Sequence, residues 1–246
     1  MNPQILKFQI EISPQQVQQQ LDKFKVEQIP FETMRDLISL CMNLFDPVAA
    51  ISLCQLEHFV GSKTKDGNVK CFLKNDPGNV VILNMNDAIK YLKFPVEGFF
   101  FMFTVGRQID DKISEYKERG NLHFSKVLSI IAISAISEIR KKVIQYIEKE
   151  ANINNFKVGP YMNPGSVKTW ELFEQEKIYQ ITNAQRIGMK YHENGFVDPV
   201  FSSSGLVPIG SKYKSDKVTN LCFQCDVIEC PLRNEDFSYQ DIEDIC

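Results

Sequence analysis

Phe99-Phe100-Phe101-Met102-Phe103-Thr104-Val105, bounded by Gly98 and Gly106, is an almost unbroken apolar run of strand length. A run without polar alternation is what a strand buried on both faces requires, so it reads as the central strand of a sheet. Leu122 then opens the longest helical pattern, reaching to about Glu150, with Leu128, Ile131, Ala135, Ile139 and Val143 along one face. Ser129, Ala132, Ser134, Ala135 and Ser137 keep that helix narrow, so another element can approach it closely. Residues 109–119 between the two form a short helix that ends at Gly120.

Working outward toward the start, residues 8–12 alternate enough for a short strand. Ser13-Pro14-Gln15-Gln16 reads as a helix start, with a hydroxyl cap, proline at the first helical position and a glutamine three residues on. Pro30 opens a second helix whose stripe is Met34, Leu37, Ile38, Cys41, Leu44 and Phe45, which makes Cys41 a packing residue. Asp46-Pro47 breaks that helix, and residues 48–60 are apolar and partly extended. Residues 61–67 are a polar turn region. Asn75-Asp76-Pro77-Gly78 is a turn between strands at 69–73 and 79–83, the pattern of a hairpin.

Toward the end, Gly159-Pro160 and Pro164-Gly165 bracket a loop. Trp170, Phe173, Lys177, Ile178 and Ile181 describe an amphipathic helix, and residues 186–192 a strand. Pro199 and Ser202-Ser203-Ser204-Gly205 then read as a loop before a strand at 206–209. Helices and hairpin-like strands in this mixed order imply an α+β fold: a mixed, mainly antiparallel sheet with flanking helices and one long helix. Residues 1–215 make one domain and residues 216–246 a Cys-rich C-terminal tail.

Composition bounds the function. Of 246 residues, 43% are hydrophobic and 24% charged, which excludes intrinsic disorder, and a net charge of −3 argues against nucleic acid as the main partner. The most apolar stretch, residues 127–136, is interrupted by serines and runs into Glu138, Arg140, Lys141 and Lys142, so no membrane span is expected. The first residues lack a basic segment followed by an apolar one, and a cytoplasmic location is the expectation. Seven cysteines, an odd number, point away from a disulfide framework.

Three segments could carry chemistry. In Gly159-Pro160-Tyr161-Met162-Asn163-Pro164-Gly165-Ser166, proline and glycine fix a loop whose amides are expected to face outward at the start of the next helix, a geometry suited to a carboxylate. The alternative is a plain helix-start turn. Glu193, followed by Ser202-Ser203-Ser204-Gly205, offers a carboxylate beside hydroxyls, which suits a ribose or an ammonium group; the alternative is a strand end with a polar turn. Cys222, Cys225 and Cys230 can chelate one metal from a short segment, with Cys246 as a fourth ligand; zinc and an iron–sulfur cluster both remain open, and so does a set of free thiols.

Taken in order, Phe103-Thr104-Val105-Gly106-Arg107-Gln108-Ile109-Asp110, the long helix, Pro164-Gly165, Trp170 and its helix, Ile187-Gly188-Met189-Lys190, Glu193, Pro199 and Ser202-Ser203-Ser204-Gly205 resemble the activation domain of cobalamin-dependent methionine synthase, in its stand-alone form. The resemblance runs from residue 99 to residue 209. It implies an S-adenosylmethionine-binding surface that meets a corrinoid-binding protein or a methionine synthase core. In that family an inactive cob(II)alamin is reduced by one electron and methylated from S-adenosylmethionine. The family loop is Arg-x-x-Pro-Gly-Tyr; Pro164 and Gly165 match it, Tyr161 stands at the arginine position and Ser166 at the tyrosine. Glu193 matches the family glutamate, and Ser202, Ser204 and Gly205 its Ser-x-Ser-Gly.

The resemblance therefore implies S-adenosylmethionine contacts at Tyr161, Pro164, Gly165, Ser166, Glu193, Ser202, Ser204 and Gly205. Cobalamin would be supplied by the partner, and the electron by an electron-transfer protein or by a centre on the tail. The alternative reading is a non-catalytic module that recognises a corrinoid protein or binds a metal and has lost S-adenosylmethionine.

Overall fold

The computed structural model of the chain describes residues 3–59, 67–73, 76–94, 96–167 and 169–221. The elements, in order, are β1 (Gln4–Lys7), α1 (Pro14–Lys23), α2 (Phe31–Leu44), β2 (Val48–Phe59), β3 (Asn68–Leu73), β4 (Asp76–Asn84), β5 (Val96–Thr104), α3 (Gln108–Glu118), α4 (Leu122–Ile153), β6 (Lys157–Val158), α5 (Gln175–Thr182), β7 (Lys190–Tyr191), β8 (Val197–Asp198) and β9 (Ser202–Gly210). Single 3-10 segments lie at Asn86–Tyr91, Leu172–Glu174 and Ala184–Ile187.

The main sheet runs β4-β3-β2-β5-β9-β6, with every neighbouring pair antiparallel. β1 shares the outer edge of β2 with β3, pairing with its first residues, Val48 to Ile51. β5 is central, as its composition requires. Phe101 faces Ile51 on one side and Gly205 on the other.

Alternation along β5 divides the interior into two layers. Phe99, Phe101 and Phe103 join a core beneath α1 to α4, with Leu128, Ile131 and Ile139 of α4 at its centre. Phe100 and Met102 face the other way, into a core with Trp170, Ile178 and Ile181 around α5. A strand filled from both sides has no exposed face, so it carries no polar alternation.

The helix starts follow the residues that cap them. Ser13 Oγ accepts the amide of Gln16 at 3.2 Å with Pro14 behind it, and Val17 and Leu21 are buried. Cys41 is fully buried on the α2 stripe. α4 is longer than the apolar count suggested, and by length and composition alone it could cross a membrane. Half of its most apolar window is buried against the sheet and the other helices.

Four expectations are corrected. β1 lies at Gln4–Lys7 rather than at 8–12. The helix expected from Trp170 onward is a 3-10 turn followed by the eight-residue α5. The strand expected over 186–192 shrinks to Lys190–Tyr191, because Asn183 and Gly188 turn left-handed (φ 48° and 78°) and leave a 3-10 segment between them. Residues 202–205 are strand rather than loop, since small serines fit the pleat and their hydroxyls find partners: Ser202 Oγ donates to the Pro199 carbonyl at 2.7 Å and Ser204 Oγ to Gln175 Oε1 at 2.7 Å.

Packing continues past residue 215. The buried carboxylate of Glu148 accepts the Val218 amide at 2.9 Å and pairs with Lys217 at 2.9 Å. The Tyr161 amide donates to the Thr219 carbonyl at 2.7 Å, and Leu221 is buried in the α5-side core. Cys222, Cys225, Cys230 and Cys246 lie outside the described residues.

Candidate functional site

Parts of two of the three segments singled out by sequence meet on the α5 side of the sheet, and two side chains near the start of α5 gather them. Leu172 packs between two turns. Its Cδ1 lies 3.1 Å from where a Cβ on Gly165 would stand, and its Cδ2 lies 3.5 Å from the same point at Gly195. Gly165 has φ +78°, a conformation glycine adopts without strain, and its amide closes the loop onto the Trp170 carbonyl at 2.8 Å. Gln175 then joins β9 to the turn that carries Glu193: Ser204 donates to its Oε1, and its Nε2 donates to the Gly195 carbonyl at 3.1 Å.

The result is a shallow surface. Gly165 and Glu193 are exposed, Ser166 and Ser202 half-buried, and Pro164 and Ser204 buried behind them. The turn from His192 to Phe196 is closed by the Gly195 amide on His192 and the His192 amide on Phe196, both at 2.9 Å. Exposed Phe173 and Phe196 stand beside it, with exposed Val200 further along the loop.

From the other flank, the start of α3 holds the loop between β8 and β9. Arg107 pairs with Asp198, and its Nε reaches Asp111 at 3.2 Å. Asp110 Oδ2 accepts the Val200 amide at 2.7 Å, while burial raises the carboxyl pKa above its ordinary value. Its other oxygen is buried without a hydrogen-bond partner. These are the residues of the Gly106-Arg107-Gln108-Ile109-Asp110 segment, and their work is to fix the approach to Ser202.

Two expected members stand apart. The Tyr161 ring lies in the core beneath α4, stacked on Phe101 at 5.8 Å with the Arg140 guanidinium 5.7 Å from its ring centre, and its hydroxyl donates to the Ser204 carbonyl at 3.0 Å. Gly205 shares that face. A Cβ there would stand 2.3 Å from Tyr161 and 2.6 Å from Phe101, so glycine is needed for close packing of the two rings.

The outward-facing amide cradle is also corrected. The Gly165 amide is held by Trp170, and those of Ser166 and Val167 by the Asn163 carbonyl at 3.2 and 3.3 Å. No α-helix begins there, so neither free amides nor a helix dipole is offered to an anion. The Ser166 hydroxyl accepts from Asn163 Nδ2 at 3.0 Å.

Chemically, the surface combines an outward carboxylate, two hydroxyls with free lone pairs and exposed aromatic edges. That set suits the ammonium and ribose ends of a nucleoside–amino acid ligand. Among the described residues, the guanidinium on its flank, that of Arg107, is already paired with Asp198 and Asp111. Among the described residues no group of three or more His, Cys, Asp or Glu side chains is arranged to hold a metal ion. Sequence reasoning missed Leu172 and Gln175, because their roles depend on how α5 sits against β9 and no local pattern marks them.

No protein-family model and no curated protein sequence matches the chain. Among solved structures, the chain is similar to the MetH reactivation domain bound to AdoHcy, with a TM-score of 0.51 and 12% identity, over 87% of this chain and 82% of that one. The two share a fold.

Proposed function

We propose that this chain binds S-adenosylmethionine on the surface formed by Pro164-Gly165-Ser166, the Glu193 turn and the start of β9, and serves reductive methylation of cob(II)alamin carried by a partner corrinoid protein. The observation that carries the reading is the convergence, through Leu172 and Gln175, of the Gly165 loop with the Glu193 turn and the start of β9, within a fold shared with a domain whose structure holds AdoHcy.

S-adenosylmethionine, when bound, supplies a methyl group on a sulfonium. The chain's own part is positioning. Glu193 accepts hydrogen bonds from the ribose hydroxyls or the ammonium, Ser166 and Ser202 lend lone pairs, and the rigid turns keep the geometry constant as the partner approaches. The electron comes from an electron-transfer protein or from an iron–sulfur cluster held by Cys222, Cys225, Cys230 and Cys246; zinc on the same ligands would be redox-inert and serve structure only. With Arg107 held by Asp198 and Asp111, binding is expected to be weak.

The second reading, a corrinoid-protein or metal-binding interaction module without S-adenosylmethionine, is favoured by one observation: Tyr161, at the family's arginine position, is in the core. Calorimetric titration with S-adenosylmethionine and S-adenosylhomocysteine separates the two. Binding of both, lost in Glu193→Ala, supports the first. No heat at millimolar ligand, together with a complex formed with a cob(II)alamin-loaded corrinoid protein, supports the second.

A further inference from the structure

The side-chain amide of Gln175 lies between two elements that reach the site from different directions. Ser204 sits on β9, and Gly195 sits in the turn that presents Glu193. Its orientation is fixed by chemistry. The Gly195 carbonyl can only accept, so the –NH2 end must face it, which leaves Oε1 for the Ser204 hydroxyl. Ser204 is 1% exposed, so it meets no ligand directly. The turn itself has few other ties to the sheet, because its own hydrogen bonds close upon His192 and Phe196.

We infer that Gln175 is a positioning residue that clamps the Glu193 turn to β9 and so sets the spacing between the carboxylate and the Ser202 hydroxyl. The inference rests on the ligand reading above for its functional consequence, and on geometry alone for the clamp. A donor and an acceptor are needed at once, and a carboxylate provides only acceptors. Gln175→Glu therefore keeps the Ser204 bond and sets an oxygen against the Gly195 carbonyl. Protonation returns a donor and restores both bonds. Gln175→Leu has neither state.

The titratable groups of the segments that carry these bonds are Glu171, Glu174, Glu176, Lys177 and Tyr179 from the helix segment and His192 and Glu193 from the turn, while β9 contributes only hydroxyls. All are present in every variant, so comparison at each pH removes their effect. The test uses the full chain with two readouts. In the first, S-adenosylmethionine affinity is measured from pH 5 to pH 8. Gln175→Glu is expected to bind about tenfold more weakly than the unaltered protein at pH 8 and to recover toward it at pH 5, whereas Gln175→Leu stays weak throughout.

The second readout needs no ligand. The Phe196 backbone amide, which shares its peptide group with the Gly195 carbonyl, should show one added titration step in the Gln175→Glu nitrogen–proton spectrum. That step should be missing from both the unaltered protein and Gln175→Leu. Absence of the step overturns the clamp. A step without recovery of affinity at low pH overturns the positioning role. A step in a protein whose unaltered form binds no S-adenosylmethionine upholds the clamp and refutes the ligand reading.

Discussion

Gly205→Ala is the most direct test of how the sheet is packed beneath the site. A methyl at this position would stand 2.3 Å from Tyr161 Cε2 and 2.6 Å from Phe101 Cζ, where carbon atoms in contact prefer about 3.5 Å. Both rings would have to retreat by about 1 Å. Tyr161 is buried with its hydroxyl tied to the Ser204 carbonyl, and Phe101 stacks on Phe103 at 6.1 Å, so neither moves freely. Overpacking of this kind costs about 1–3 kcal/mol. In a domain of this size that is a fall in melting temperature of roughly 3–10 °C.

Urea unfolding of Gly205→Ala and Tyr161→Ala, alone and together, is the assay. Tyr161→Ala is itself destabilising, but it removes the worst contact and leaves room for the new methyl. The two changes should therefore be less costly together than their sum, by about 0.5–3 kcal/mol. A penalty below 0.5 kcal/mol for Gly205→Ala, or strict additivity in the double variant, refutes the packing role of Gly205. It would leave ligand approach as the reason for the glycine.

Glu193→Ala should remove detectable S-adenosylmethionine binding while leaving the melting temperature unchanged, since the side chain is exposed; unaltered affinity gives the carboxylate another job. Burial pushes the Cys41 and Cys54 thiols up to about 12 and that of Cys71 well above its ordinary value, so at pH 8 the native protein should offer at most four of its seven cysteines to Ellman's reagent. If the tail ligates a metal, those four react only after chelation, and elemental analysis of anaerobically purified protein identifies the ion. Asp110 has a raised pKa in the folded chain, so the unfolded chain binds fewer protons just above the ordinary value of 3.8, and this group's contribution to stability falls as pH rises through that window. Asp110→Asn, which keeps an acceptor for the Val200 amide, should flatten that part of the pH–stability curve; an unchanged slope would place the titration elsewhere.

Legibility in the sequence followed whether a feature is local. β5 announced itself because a strand covered on both faces needs no polar residue. α4 did so because its stripe repeats over many turns, and α1 because Ser13 and Pro14 mark a helix start. The β3–β4 hairpin was legible from its two apolar runs, but Asp76 to Gly78, expected as turn, belong to β4. α5 was overextended, because a 3-10 turn and an α-helix present the same apolar spacing over a few residues. The tyrosine beneath α4 and the serine behind Gln175 are tertiary outcomes that no window of sequence contains, whereas the loop amides close locally, on Asn163 and Trp170.

The segment most misjudged, Ser202-Ser203-Ser204-Gly205, shows why the site was half legible. Polar residues beside a proline carry a loop pattern that masks the two-residue alternation of a strand. With β9 beginning at Ser202, alternation alone sends Ser202 and Ser204 to the α5 face and Gly205 to the α4 face, opposite Phe101. Tyr161 packs over that glycine, on the α4 side. The order of the motif thus survives a division between two layers: Ser202 and Glu193 line the surface, Ser204 braces it through Gln175, and the glycine packs in the core beneath. A resemblance read as a set of contacts with one ligand joins residues that the pleat of the sheet separates.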